Sequence, residues 1–109
     1  MKCVARVQAG VCGFTTTVTA ESPDEQMVSF ALETDCQKIA GLAEALRGRE
    51  VDAYDEIHAG FDGVVMTAVR SSLSGCCAGC AVPVAVFKSL QVAARVALPR
   101  DVEITLATE

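Results

Sequence analysis

The run Val28-Ser29-Phe30-Ala31-Leu32-Glu33-Thr34-Asp35-Cys36-Gln37-Lys38-Ile39-Ala40-Gly41-Leu42-Ala43 decides the fold class, because the hydrophobic period changes inside it. Up to Thr34 the apolar residues alternate, with Val28, Phe30 and Leu32 on one face, which is the two-residue period of a half-buried strand. From Cys36 onward Cys36, Ile39, Ala40, Ala43 and Leu46 recur at the i, i+3, i+4, i+7 spacing of an amphipathic helix that ends at Arg47-Gly48. Between the two, Thr34-Asp35-Cys36-Gln37 has the spacing of a capping box, a hydroxyl followed three residues later by Gln. A strand thus feeds straight into a helix, with a cysteine in the helix's first turn.

Working upstream, two more strands precede this one. Residues 2–9 place Cys3, Ala5, Val7 and Ala9 on one face and Lys2, Arg6 and Gln8 on the other. After the turn Gly10-Val11-Cys12-Gly13, residues 14–20 alternate Phe14, Thr16 and Val18 against Thr15, Thr17 and Thr19, and threonine-rich alternation favours strand over helix. Ser22-Pro23-Asp24 is a turn signal, so residues 2–34 read as an antiparallel meander with one buried face. Downstream, residues 51–58 read as a loop or short turn. Asp62-Gly63 opens a second helix to about Ser72, with Val65, Met66 and Val69 inward. Residues 74–82 form a Gly- and Cys-rich loop. Pro83 suits the first turn of a third helix carrying Phe87, Leu90, Ala94 and Ala97 and stopping before Pro99. Val102, Ile104 and Leu106 then alternate with Glu103, Thr105 and Ala107 as a last strand. The expected fold is α+β: one domain over residues 1–109, an antiparallel meander of three strands plus a C-terminal strand, packed against about three helices.

Composition narrows the function. Hydrophobic residues are 51% of the 109 and charged residues 21%, which excludes a disordered chain. The net charge of −5, with no Lys/Arg cluster, disfavours nucleic acid, since counterion release needs concentrated positive charge. No membrane partner is expected either, because the weakly charged run 71–87 falls short of the ~20 apolar residues of a span. Arg6 interrupts the place where a signal peptide would carry its apolar stretch, so the expected location is the cytoplasm. There the six cysteines, too few for a secreted disulfide scaffold, point to metal binding, redox chemistry or packing.

The cysteines are not equivalent. Cys3 alternates onto the core face of the first strand and reads as a small buried hydrophobe. Cys12 lies in a glycine turn, where a thiolate is exposed. Cys36 sits at a helix start, and a helix N-terminus stabilises negative charge, so its thiol is expected to be the most reactive. Cys76, Cys77 and Cys80 occupy the loop before the third helix. Cys77 and Cys80 form a C-x-x-C pair, but a late one, not the redox motif after the first strand of a βαβ unit. No second pair provides a zinc knuckle. What remains is a composite site of Cys12, Cys36 and Cys80, with Cys76 or Cys77 nearby. Of the other polar residues, His58 and the run Asp52, Asp55 and Glu56 read as solvated, and Asp35 as a helix cap. No nucleophile triad, phosphate loop or paired-carboxylate site stands out, so catalysis by the chain itself is not expected.

The ordered combination Cys12-Gly13, then Phe30-Ala31-Leu32-Glu33-Thr34-Asp35-Cys36, then Arg47-Gly48-Arg49-Glu50-Val51-Asp52, then Cys80-Ala81-Val82-Pro83 with its helix resembles the U-type iron–sulfur cluster scaffold family, of the IscU and NifU N-terminal type. The resemblance covers roughly residues 2–98. It implies that fold, an iron–sulfur cluster as cofactor, Cys12, Cys36 and Cys80 as its ligands, and donor or recipient proteins as partners. Phe14 stands where that family has an acidic residue, Gly79 where it has a histidine, and Ser74-Gly75-Cys76-Cys77 where it has a Pro-Pro segment. The chain is also similar to small cysteine-containing proteins of anaerobic microbes. The expected function is thus binding of zinc or an iron–sulfur cluster by thiolates, because thiolates select soft metals. The alternatives are a thiol redox protein using Cys77 and Cys80, and an interaction domain whose thiols bind nothing.

Overall fold

Alternating β-branched and apolar residues in 2–34 can bury one face only, and the chain accordingly folds back on itself twice. In the computed structural model, which describes residues 1–76 and 78–109, β1 (Lys2–Gln8), β2 (Thr15–Glu21) and β3 (Met27–Thr34) form an antiparallel meander. A three-residue strand, β4 (Glu50–Asp52), closes the far edge in the order β1-β2-β3-β4. The register sets Cys3 against Ala20 and Ala20 against Phe30, and Ala5 against Val18 and Val18 against Leu32, all on the covered face. On the open face it aligns Arg6, Thr17 and Glu33, and beside them Val4, Thr19 and Ala31.

Four helices follow: α1 (Gln37–Leu46), α2 (Ala53–Ala59), α3 (Val64–Ser72) and α4 (Val82–Ala93). Helix α4 lies across β1 and β2, α1 lies across β3, and α3 packs on α1. Ile39, Leu42, Leu46, Val65, Val69, Val86 and Leu90 meet Val18, Val28 and Phe30 in a single core. Each fully buried aliphatic side chain there contributes roughly 2 kcal/mol of transfer free energy. This is the expected α+β class.

Three expectations are corrected. Residues 101–107 do not form a strand: they have no ladder partner, and Leu98, Ile104 and Leu106 are exposed. Alternation supplies an amphipathic strand, but an isolated one gains neither backbone bonds nor burial. Secondly, residues 51–58 are not a loop. Met27, Val28 and Ser29 pair with Asp52, Val51 and Glu50, and Ala53 N–H donates to the Gln26 carbonyl at 2.8 Å. Asp52 then opens α2 by accepting from Tyr54 N–H and Asp55 N–H at 2.9 and 3.2 Å, so there are four helices rather than about three. Thirdly, the buried stripes are shifted. Leu42 rather than Ala40 is buried in α1, and Val86 and Ala93 rather than Phe87 and Ala97 belong to the buried side of α4.

Helix α4 also stops early. Arg95 takes φ 62°, its N–H donates to the Val92 carbonyl, and Val96 N–H donates to the Gln91 carbonyl. That pair of bonds is a Schellman close, usually built on glycine. Here an ion pair from Arg95 Nε to Glu25 Oε1 at 3.1 Å holds the left-handed residue on the β2–β3 turn.

Candidate functional site

The meander gives the sheet two ends. Residues 9–14 connect β1 to β2 at one of them, and β3 runs to the same end, because Thr16 pairs with Thr34 and Gln8 with Thr15. Helix α1 starts there. The loop between α3 and α4 arrives there as well, tied down by Lys38 in the first turn of α1, whose Nζ donates to the Ser74 carbonyl at 2.9 Å. Cys12, Cys36, Cys76 and Cys80, four of the five described cysteines, therefore share one end of the molecule; Cys3 sits near the other, at the start of β1.

Each thiol is placed by its local backbone. Cys12 is exposed on a turn in which Ala9 N–H bonds the Phe14 carbonyl and Gly13 N–H bonds the Gly10 carbonyl. That turn needs φ of 86° at Gly10 and 74° at Gly13, which glycine adopts without a Cβ penalty. Cys36 is the N-cap of α1, one step before the first turn expected for it, with extended backbone (φ −88°, ψ 126°) and no hydrogen bond from its own side chain to the helix. Its N–H donates to Thr34 Oγ1 at 3.1 Å, and that hydroxyl lies 2.8 Å from Thr16 Oγ1. The capping box expected from Thr34 and Gln37 is thus replaced by a threonine turn that leaves the helix start open. Asp35 does not cap the helix either: its carboxylate accepts from Thr15 Oγ1 at 3.4 Å.

On the neighbouring loop, Cys76 is exposed and its Sγ lies 3.2 Å from Lys38 Nζ. Gly79 N–H and Cys80 N–H both donate to the Cys76 carbonyl at 3.0 Å, and Cys80 is half-buried just before α4. Helix α4 begins at an Ala81 N-cap with no side-chain cap and Pro83 in its first turn. Cys77, expected as a ligand or redox partner, lies outside the described residues. Cys3 lies on the covered side of the sheet, as its alternation predicts, but is half-buried rather than buried because β1 is the edge strand.

The structure therefore brings Cys12, Cys36, Cys76 and Cys80 to one end without assembling them. Among the described residues, no three His, Cys, Asp or Glu side chains are grouped to hold a metal ion. The donor set is nevertheless chemically suited to soft metals, being thiols beside two helix starts with unspent N–H groups.

The residues read as a solvated acidic face behave otherwise. Only Asp55 is exposed in that way. Asp52 caps α2, and Gln26 Nε2 at 2.6 Å, with the Asp55 and Tyr54 N–H groups, holds its carboxyl below the ordinary value. Glu56 is buried, 4% exposed, and its carboxylate accepts from Val64 N–H at 3.1 Å and Val65 N–H at 2.7 Å, closing the start of α3. A signal for it existed: Glu56 stands three residues after Ala53, on the buried side of α2. A Cβ at Gly63, the N-cap of α3, would meet Glu56 Oε1 at 2.9 Å, so a side chain there would have to push the carboxylate aside. His58 is exposed as expected, although in the last turn of α2 rather than a loop. No helix of the described residues is long and apolar enough to cross a membrane.

A family model described as a family of unknown function (DUF6951) matches residues 3–106. No curated protein and no solved structure matches the chain. With nearly the whole chain matched, the protein belongs to the DUF6951 family.

Proposed function

We propose that this member of the DUF6951 family is a thiolate protein that binds a soft metal ion, an iron–sulfur cluster or zinc, in the cytoplasm. Cys12, Cys36 and Cys80 are its main ligands and Cys76 and Cys77 the supplementary ones. The observation that carries the reading is the convergence of the β1–β2 turn and the starts of α1 and α4 on one end of the sheet, each bearing a cysteine. Three cysteines from sequence-distant elements lie at one end, Cys12 exposed and Cys36 and Cys80 half-buried against the rim of the core. The uncapped starts of α1 and α4 add two positive helix ends, which suit a negatively charged metal centre. Lys38 adds a third positive group beside Cys76. The order of these cysteines is also what resembles the U-type cluster scaffolds, and on this reading the chain binds and hands over its metal rather than turning over a substrate.

The test is the metal content and absorption spectrum of protein purified without oxygen, together with thiol alkylation. The reading expects bound iron with visible charge-transfer absorption, or bound zinc without it, and protection of Cys12, Cys36 and Cys80 that a chelator removes. No iron or zinc after anaerobic reconstitution, with alkylation unchanged by metal, overturns it. A disulfide between Cys77 and Cys80 that forms reversibly at roughly −220 to −320 mV, without metal protection, installs the redox reading instead.

A further inference from the structure

The tail after α4 and the outer edge of β1 fit one another, and neither has a strand partner among the described residues. The sheet order leaves β1 with one unpaired edge. Met1 C=O bonds Ser22 N–H and Ala9 N–H bonds the Phe14 carbonyl, so the odd-numbered residues of the strand face β2. In an antiparallel ladder the alternate residues face the opposite way. Lys2, Val4, Arg6 and Gln8 therefore present their backbone N–H and C=O groups to solvent. An edge this long is a template for another strand.

The tail has the pattern such an edge accepts. Val102, Ile104 and Leu106 are exposed by 54, 72 and 90% and alternate with Glu103 and Thr105. Laid beside β1, one face of the tail joins the covered side of the sheet and the other joins the open side, since side chains of adjacent strands keep the same parity. Val102, Ile104 and Leu106 then extend the row of Cys3, Ala5 and Val7, all three half-buried for want of a neighbour. Asp101 and Glu103 fall on the open side with Lys2 and Arg6. The charges are complementary: acidic on the tail, basic on the edge. The opposite parity would put acidic groups beside the core, so a single alignment is favoured.

The chain does not fill its own edge. Arg95 is pinned to Glu25 on the β2–β3 turn, inward of β1, and every residue from 95 to 109 is exposed. We infer that the tail of one copy adds as a strand to the β1 edge of a second copy, reciprocally, giving a two-fold dimer. Two identical additions related by a two-fold axis close on themselves, which a one-way addition does not.

The experiment is light scattering during size-exclusion chromatography of the full chain across a concentration series, with three samples. The parent is expected to move from the 11.4 kDa monomer mass toward twice that value as concentration rises. Val4→Pro removes an edge N–H but none that faces β2, and I104K/L106K removes the apolar face of the tail; each is expected to stay monomeric at every concentration. Unchanged circular dichroism and melting temperature of both variants at the lowest concentration confirm that the fold is intact. Mixing the two is expected to restore a dimer population, since one supplies the tail and the other the edge. A monomeric parent overturns the inference, whether the tail stays free or closes on its own β1. A dimer that survives I104K/L106K overturns it too, and assigns the contact to edge-to-edge pairing of β1.

Discussion

Where β2 turns into β3 and β4 hands over to α2, carboxylates close the backbone. Asp24 accepts from Met27 N–H and Gln26 N–H at 2.8 and 3.0 Å, Asp52 opens α2, and buried Glu56 closes the start of α3. At the opposite end of the sheet, α1 begins at Cys36 and α4 at Ala81, with no side chain bonded to either first turn. An oxygen cap stabilises a helix by about 1 kcal/mol. The thiol end forgoes that gain twice. The difference separates an end built for stability from one whose N–H groups and positive helix ends stay free beside sulfur atoms.

The contrast is open to attack at both ends. Glu56→Ala orphans two N–H groups, one of them buried, and should cost about 3 kcal/mol in denaturant unfolding. Glu56→Gln, which keeps one oxygen, should cost clearly less. A cost below about 1 kcal/mol for the alanine variant would remove Glu56 from the stable end. Conversely, Cys36→Asp places a carboxylate where α1 has no cap and should stabilise the apo protein by about 1 kcal/mol; a loss instead would mean that the α1 start is already satisfied.

A pH series sharpens the same point. Asp24 is held below its ordinary value of 3.8 chiefly by the Met27 N–H and then the Gln26 N–H, and Asp52 chiefly by Gln26 Nε2. A depressed folded-state value contributes stability that is fully present above the ordinary carboxyl range and lost as pH falls through the folded value. The melting temperature should therefore fall from about pH 4 downward, and Asp24→Asn with Asp52→Asn should flatten that fall. An unchanged acid limb in the double variant would assign it to other carboxylates. The smallest effect belongs to Arg95. Arg95→Gly relieves a left-handed side chain and gives up an exposed ion pair, for a net gain of about 0.5 kcal/mol. A net loss would show that the pair to Glu25 outweighs the backbone term.

Much of this was legible in the sequence, for identifiable reasons. The three long strands and helices α1, α3 and α4 each repeat an apolar period over seven or more residues, so their existence survives errors of phase. Strand β4 has only three residues, too few to show a period, and its pairing with Met27, Val28 and Ser29 is a tertiary fact. The start of α2 did carry a signal, a capping Asp52 followed by Asp55 and Glu56 in the first turn, which a reading of the acids as a solvated face concealed. Residues 102–106 misled in the opposite direction, because a correct strand pattern says nothing about where its neighbour lies. Of the site, the positions of Cys12, Cys36 and Cys80 at a turn and two helix starts were readable from glycine, threonine and proline placement. The hydroxyl relay from Thr16 to Thr34 to Cys36 N–H was not, since it depends on the register of β2 against β3.

The central claim is that Cys36, half-buried at the rim of the core beside the α1 start, binds metal, and that Cys3, half-buried near the other end of the sheet, does not. It is tested most directly by metal content after anaerobic reconstitution of the parent, Cys36→Ser and Cys3→Ala, measured beside the melting temperature of each. The account predicts that Cys36→Ser folds as the parent does and loses its iron or zinc, because the hydroxyl is a good helix start and a poor soft-metal ligand. It predicts that Cys3→Ala keeps its metal and melts lower. Equal loading of Cys36→Ser and the parent would contradict it.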